Sequence, residues 1–171
     1  IIAFKQMNNY FVILAAGKGR RFHRKIIKQF YNYKNKQIID HSIDKSLDSG
    51  LFRKIIIVTD NFKHFKKKKY SSKIKIIKGG KERSDSSLIA LKFLKKYKPK
   101  NVLIHDAARP DFTKKLLQNL VKQLKFYKAV IPIVRTKDTI KYKIRNNLLN
   151  LDREKAFFTQ TPQAFRYKDL Y

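Results

Sequence analysis

Short apolar runs alternate with amphipathic stretches along most of this chain, and no other property restricts its fold as much. Phe11-Val12-Ile13-Leu14 stops at a glycine-bearing turn of small residues, the pattern of a strand buried on both faces. Over residues 38–47, Ile39, Ile43 and Leu47 recur every four positions as one helical stripe, which Gly50 closes. Further strands are expected at 54–58, 74–77, 102–104 and 129–133. Between them the pattern predicts a basic helix from about Asn61, a helix over 83–97 with Leu88, Leu91 and Leu94 on its apolar stripe, and a helix over 113–126. Strands alternating with helices in this way imply right-handed crossovers, hence an α/β fold with a mostly parallel twisted sheet and helices on both faces.

Beyond Pro132 the period changes. Residues 139–144 alternate apolar and polar side chains, Asn146-Asn147 is a turn signal, and residues 148–151 return as an antiparallel partner. A hairpin arm over about 136–158 is therefore expected, with Asp152-Arg153 and Thr161-Pro162-Gln163 in its region. No repeat or Ser/Pro-rich linker interrupts the 171 residues, which suit one domain, over 7–171, by the usual size of about 100–200 residues. Residues 1–6 precede Met7 as an upstream extension, and the chain stops at Asp169-Leu170-Tyr171 just as a helix begins. Without cysteine there is no disulfide framework, no thiolate nucleophile and no Cys-ligated metal. The longest apolar runs fall far short of the roughly 18 residues of a membrane span, and no signal pattern precedes them, so a soluble, cytoplasmic protein is expected.

The formal charge of +30 raises nucleic acid as a partner, since clustered Lys and Arg displace counterions from phosphates. The cations are instead spread along the whole chain, and Lys outnumbers Arg 32 to 10 beside 20 Ile, as an AT-rich coding sequence produces. Nucleic acid is not expected to be the main partner, and the dense run 66–69 is read as the face of a surface helix.

Three strand-end segments carry residue types suited to chemistry. Ala15-Ala16-Gly17-Lys18-Gly19-Arg20-Arg21, followed by Lys28, combines small residues whose N–H groups can form an anion nest with cations that neutralise phosphate. It is neither a Walker A loop nor a dinucleotide fingerprint, because no Gly-Lys-Ser/Thr follows and Phe22 replaces the third glycine. An ordinary turn with solvated basic residues is the plainer alternative. In His105-Asp106-Ala107-Ala108-Arg109-Pro110, a strand delivers Asp106 to the edge where ligands of open α/β sheets sit. A carboxylate there suits magnesium or a metal-bound water, and Arg109 suits a phosphate, while His105 reads as a packing residue. In Gly79-Gly80-Lys81-Glu82-Arg83-Ser84-Asp85-Ser86, a glycine turn feeds a helix, and Gly80 and Ser86 suit a nucleobase or ribose or serve only as turn and cap.

Together with Lys28-Gln29-Phe30, Asp138-Thr139-Ile140-Lys141, Asp152-Arg153 and Thr161-Pro162-Gln163, these segments resemble, from Met7 to the end, the 2-C-methyl-D-erythritol 4-phosphate cytidylyltransferases of the non-mevalonate isoprenoid pathway. The resemblance implies a Rossmann-like nucleotidyltransferase fold and magnesium-dependent transfer of CMP from CTP to the sugar-alcohol phosphate. By position, Ala15, Ala16, Gly17, Gly19, Gly80, Ser86 and Ala107 would hold CTP. Arg21 and Lys28 would stabilise charge on the phosphates, and Asp106 would lie by the magnesium or another divalent cation, directly or through water. Arg109 and Thr161, with Thr139 and Arg153 from the partner of a homodimer built on the hairpin arm, would bind the acceptor.

Two departures stand out. Ile27 replaces the proline that usually precedes the lysine matched by Lys28, and the family continues beyond Tyr171 with residues that complete the metal and substrate site. The chain is therefore read as a fragment, weak in CTP binding and turnover alone, of a protein fused or associated with the pathway's cyclodiphosphate synthase. A cytidylyltransferase for ribitol 5-phosphate is the nearest rival, against which Ala16 and Ala108 speak. A non-catalytic nucleotide- or RNA-binding relic is the alternative of another class.

Overall fold

The computed structural model describes residues 8–17, 27–66 and 70–171; Gly19, Arg21, residues 1–6 and the 67–69 part of the lysine run lie outside them. In chain order the elements are β1 (Asn9–Leu14), β2 (Asn32–Tyr33), β3 (Lys36–Gln37), α1 (Ile38–Asp48), β4 (Lys54–Val58), α2 (Lys63–Lys66), β5 (Ile74–Ile77), α3 (Arg83–Leu94), β6 (Asn101–Asp106) and α4 (Lys114–Gln123). They continue with β7 (Ala129–Val130), β8 (Ile133–Arg135), β9 (Ile140–Ile144), β10 (Asn147–Leu151), β11 (Phe157–Thr159), β12 (Gln163–Arg166) and α5 (Tyr167–Leu170).

Successive side chains of a strand point to opposite faces, and here both faces are covered. Phe11, Ile13, Ile55, Ile57 and Leu103 pack with Ile39 and Ile43 of α1 and with Leu117, Leu120 and Val121 of α4. Tyr10, Val12, Ile56, Val58, Val102 and Ile104 meet Ala90, Leu91 and Leu94 of α3 on the other side. That is why these strands read as continuous apolar runs. The ring of Phe11 is fully buried, 4.8 Å from that of Phe52 and 6.0 Å from that of Phe112. Burying one such side chain contributes roughly 1.5–3 kcal/mol.

The main sheet has the order β5-β4-β1-β6-β12-β7. β1 pairs in parallel with β4 on one side and β6 on the other, with Leu14 level with both Val58 and Asp106. The chain fills the β4 and β5 side first and then crosses to β6, so the strand order reverses next to β1, the place where ligands of open α/β sheets bind. Among the described residues, no helix is long and apolar enough to cross a membrane.

The expected strand 129–133 is two strands. Pro132 cannot donate to a ladder; β7 ends at Val130 and β8 starts at Ile133, where it turns away to pair with β11. Gln163, expected in the region of the arm, instead opens β12, which enters the main sheet antiparallel between β6 and β7. The hairpin β9–β10 forms as expected, but with Asn147 paired to Ile144, so the turn is Arg145-Asn146, with Arg145 at φ 51°. In α3 the stripe is Ala90, Leu91 and Leu94, whereas Leu88 is 47% exposed: spacing by three carries it around the helix away from the sheet.

Gly79 and His105 both sit near the carboxyl edge of the sheet, after β5 and at the end of β6. The Gly79 N–H donates to Thr59 O at 3.3 Å, and a Cβ on Gly79 would run into that of Ala16. Gly79→Ala should cost about 1–3 kcal/mol, read from the denaturant midpoint; an unchanged midpoint would show that the two loops separate freely. His105 is fully buried, its Nδ1 3.0 Å from Thr161 Oγ1 and its Nε2 3.3 Å from Ser42 Oγ. Burial pushes its pKa from 6.5 down to about 3, against a smaller upward pull from the Asp106 charge. Between those values the unfolded chain binds a proton that the native chain refuses, so stability held by neutral His105 is complete above 6.5 and is lost as pH falls toward 3. The Tm gap between wild type and His105→Gln should therefore narrow as pH is lowered through that window, and a constant gap would contradict this reading.

Candidate functional site

Loops at the carboxyl edge of the sheet enclose a cleft of about 990 Å³. The first wall follows β1. The Ala15 N–H donates to Val58 O at 2.7 Å, carrying the ladder one step past the strand, and Ala16 and Gly17 then line the cleft. Buried Gln29 donates from Nε2 to Ala15 O at 2.7 Å and to Gly17 O at 2.9 Å, which fixes the turn and sets the adjacent Lys28 at the rim. The second wall is Gly79-Gly80 and the start of α3. Gly80 N–H donates to Ser86 Oγ at 3.1 Å, and Glu82 N–H to Asp85 Oδ2 at 3.0 Å. A helix start of this kind presents N–H groups and a partial positive charge to the cleft. The third wall is Asp106-Ala107-Ala108, held where the Ala107 N–H donates to Leu14 O at 3.0 Å.

Charge is mixed inside the cleft. Lys28, Lys78, Lys81 and Arg83 line it together with Asp60, Glu82 and Asp106. The Asp106 carboxylate is the point of convergence: Arg83 Nε donates to Oδ1 at 3.0 Å, and Arg109 Nε stands 3.4 Å from Oδ2. Arg109 also donates from Nη1 to Gln160 Oε1 at 2.8 Å, and Asp106 N–H donates to Thr161 Oγ1 at 3.3 Å. His105, one residue away, is sealed in the core and neutral at pH 7.

Backbone N–H groups, small residues and cations around one void suit a chain of phosphates. Among the described residues no three His, Cys, Asp or Glu side chains gather to hold a metal. A cation here would take one protein carboxylate and fill its shell with ligand oxygens and water, which fits magnesium bound with a phosphorylated ligand.

Most residues singled out in the sequence come together. Ala16, Gly17, Lys28, Gly80, Ser86, Asp106 and Ala107 line the one cleft, and Ala15 is buried directly behind it. Arg109 and Thr161 join through Asp106. Thr139 and Arg153 are exposed on the arm and are not part of that lining; Gly19 and Arg21 lie outside the described residues. Sequence reasoning gave no role to Gln29, Asp60, Lys78 or Arg83. Asp60 and Lys78 stand within two residues of the ends of β4 and β5, and Arg83 opens the helix behind the glycine pair, so their positions along parallel strands and crossovers were a usable signal.

The IspD family model, described as 2-C-methyl-D-erythritol 4-phosphate cytidylyltransferase, matches residues 10–171. The chain is 48% identical over 166 residues to the bifunctional enzyme IspD/IspF of Pelagibacter ubique, covering 96% of this chain but 45% of that protein. It is 35% identical to the 2-C-methyl-D-erythritol 4-phosphate cytidylyltransferase of Thermotoga neapolitana, over 93% of this chain and 73% of the relative. The crystal structure of 4-diphosphocytidyl-2C-methyl-D-erythritol synthase from Anaerococcus prevotii superposes with a TM-score of 0.83 at 26% identity, over 97% of this chain and 74% of that one. With its model matched over nearly the whole chain and relatives above 30% identity covering most of it, the chain belongs to the IspD family of cytidylyltransferases.

Proposed function

We propose that this protein transfers CMP from CTP to 2-C-methyl-D-erythritol 4-phosphate, releasing pyrophosphate. The observation that carries the reading is the meeting of Gly17, Lys28, Gly80 and Asp106 around one cleft at the sheet's switch point, in a chain of this family. Ala16, Gly17, Gly80, Ser86 and Ala107 would seat the nucleotide against backbone. Lys28, with Arg21, would neutralise charge on the α-phosphate and on the departing pyrophosphate.

The chemistry needs few groups. A phosphate monoester has its second pKa near 6, so the acceptor is already anionic at neutral pH. Its oxygen attacks the α-phosphorus of CTP, the bond from that phosphorus to the bridging oxygen breaks, and the electron pair leaves on pyrophosphate. No proton has to be removed, and positioning with charge neutralisation supplies the catalysis. Magnesium, when bound, would add charge neutralisation on the phosphates, and Asp106 is the carboxylate that would hold it, directly or through water.

The two ribbons beyond β7 support a homodimer. Ile133 and Val134 of β8, Leu148 and Leu149 of β10, and Phe157 and Phe158 of β11 are all exposed. Apolar side chains concentrated on an arm mark an interaction surface, and a second copy placed there would bring Thr139 and Arg153 to its neighbour's cleft with Thr161 and Arg109 on the acceptor. The bifunctional relative supports a protein that continues into a cyclodiphosphate synthase. The proposed compartment is the cytoplasm, where CTP is available and a chain without cysteine lacks nothing.

Pyrophosphate release from CTP and magnesium, with methylerythritol phosphate or ribitol 5-phosphate as acceptor, tests this function in the full-length protein. Release with the erythritol substrate is expected, reduced about 100-fold or more in Lys28→Ala and in Asp106→Ala. Release with ribitol phosphate alone would move the substrate, and silence with both would overturn the reading. For the arm, Phe158→Glu should convert a dimer to a monomer in sedimentation velocity; a wild type that sediments as a monomer would remove the shared site.

A further inference from the structure

Arg83 and Asp106 face one another across the cleft from different elements. Arg83 is the first residue of α3, its side chain 52% exposed, and Asp106 is the last of β6, its side chain 28% exposed. With Arg83 on Oδ1 and Arg109 on Oδ2, both oxygens of the only carboxylate at the end of β6 are engaged by guanidinium groups. A hard cation seeking Asp106 meets an arginine already in its place and is repelled by it. A phosphate chain, by contrast, offers Arg83 several anionic oxygens and the forked geometry that guanidinium prefers.

The two arginines differ in their ties. Arg109 is held a second time, by Gln160 Oε1 at 2.8 Å. Arg83 has a fixed backbone, since its carbonyl accepts from Ser87 Oγ at 2.9 Å and the preceding Glu82 N–H is bonded to Asp85. Its side chain alone has to rotate to leave Asp106 for the space beside Gly17 and Gly80, which line the same cleft.

We propose that Arg83 is a transferable ligand, which masks Asp106 while the cleft is empty of nucleotide and swings onto the phosphate chain when nucleotide and cation enter. The nucleotide half of this inference rests on the CTP reading; the masking half rests on the ion pair alone. Its consequence is an order of binding: the cation gains Asp106 with the nucleotide, not before it.

The test reads two affinities that should move in opposite directions in the full-length protein. In Arg83→Gln, the Kd for CTP with magnesium should rise roughly tenfold. Without nucleotide, Mn2+ should broaden the backbone amide NMR signals of residues 106–108 at several-fold lower concentration than in wild type. That gain should vanish in Arg83→Gln with Asp106→Asn, as a double-mutant cycle requires if the effect arises at Asp106. A side chain that merely supported the fold would weaken both affinities together, and that result, or an unchanged Mn2+ response, overturns the proposal. An unchanged CTP affinity in Arg83→Gln overturns the transfer. If wild type binds no CTP, the function proposed above fails and takes the transfer with it, whereas loss of the Mn2+ effect alone sinks this inference and leaves that function standing.

Discussion

The parallel pairing of β1 with β4 and β6 at once is the constraint on which the rest of the molecule depends. Its register is held from both faces, because a slip of one residue would exchange Phe11 and Ile13 for Tyr10 and Val12 and empty both cores together. The same register sets Leu14 beside Val58 and Asp106. Each wall of the cleft departs from that common edge, so the distance between the Ala16-Gly17 turn and Asp106 is decided by hydrophobic packing well below either.

That dependence explains what was legible in the sequence. A strand inside a doubly covered sheet must be largely apolar, so Lys54–Val58 is bounded as expected; Ile74–Ile77, at the sheet's edge with Lys75 exposed, is bounded as expected too, and the helix after it opens at Arg83 as expected. The placement of the candidate site was legible for the same reason, since glycine turns and an Asp following apolar runs fall at the carboxyl edge of the sheet. Beyond Pro132, β8 and β11 have three residues each, too short for a period to declare itself, and β12 gives no local sign that it inserts between β6 and β7. Leu88 shows the limit of spacing alone, which admits a position to a stripe without saying how wide the sheet below it is. Gln29 was invisible because its role is made by contact: two carbonyls of a turn twelve to fourteen residues earlier.

Charge illustrates the same division between amount and placement. The excess of thirty positive charges is spread over the chain, and exposed lysines beyond about 10 Å of one another are screened by salt. Within the cleft the balance is far closer, four cations against three carboxylates. What distinguishes the cleft is that its cations face backbone N–H groups and small side chains, so an anion can come near them without a bulky residue intervening.

Among the described residues no histidine lines the cleft around Asp106. His105 is adjacent in sequence, yet burial keeps it neutral and turns its nitrogens toward Ser42 and Thr161, so it orders the strand end and takes no part as a proton carrier at pH 7. A substrate that arrives already ionised makes no use of such a carrier. It asks for a rigid cradle and for cations able to follow charge as it moves from one phosphate to the next. The molecule separates these tasks: the cradle is tied by backbone bonds from Gly79 to Thr59 and from Ala107 to Leu14, and by the buried Gln29 side chain to two carbonyls of the first turn. Arg83 and Arg109 are long, about half exposed, and anchored only at their bases and tips. Rigidity where the proposed nucleotide would fit, and reach where its charge would be met, follow from placing the first set on the sheet edge and the second on the loops and helix that leave it.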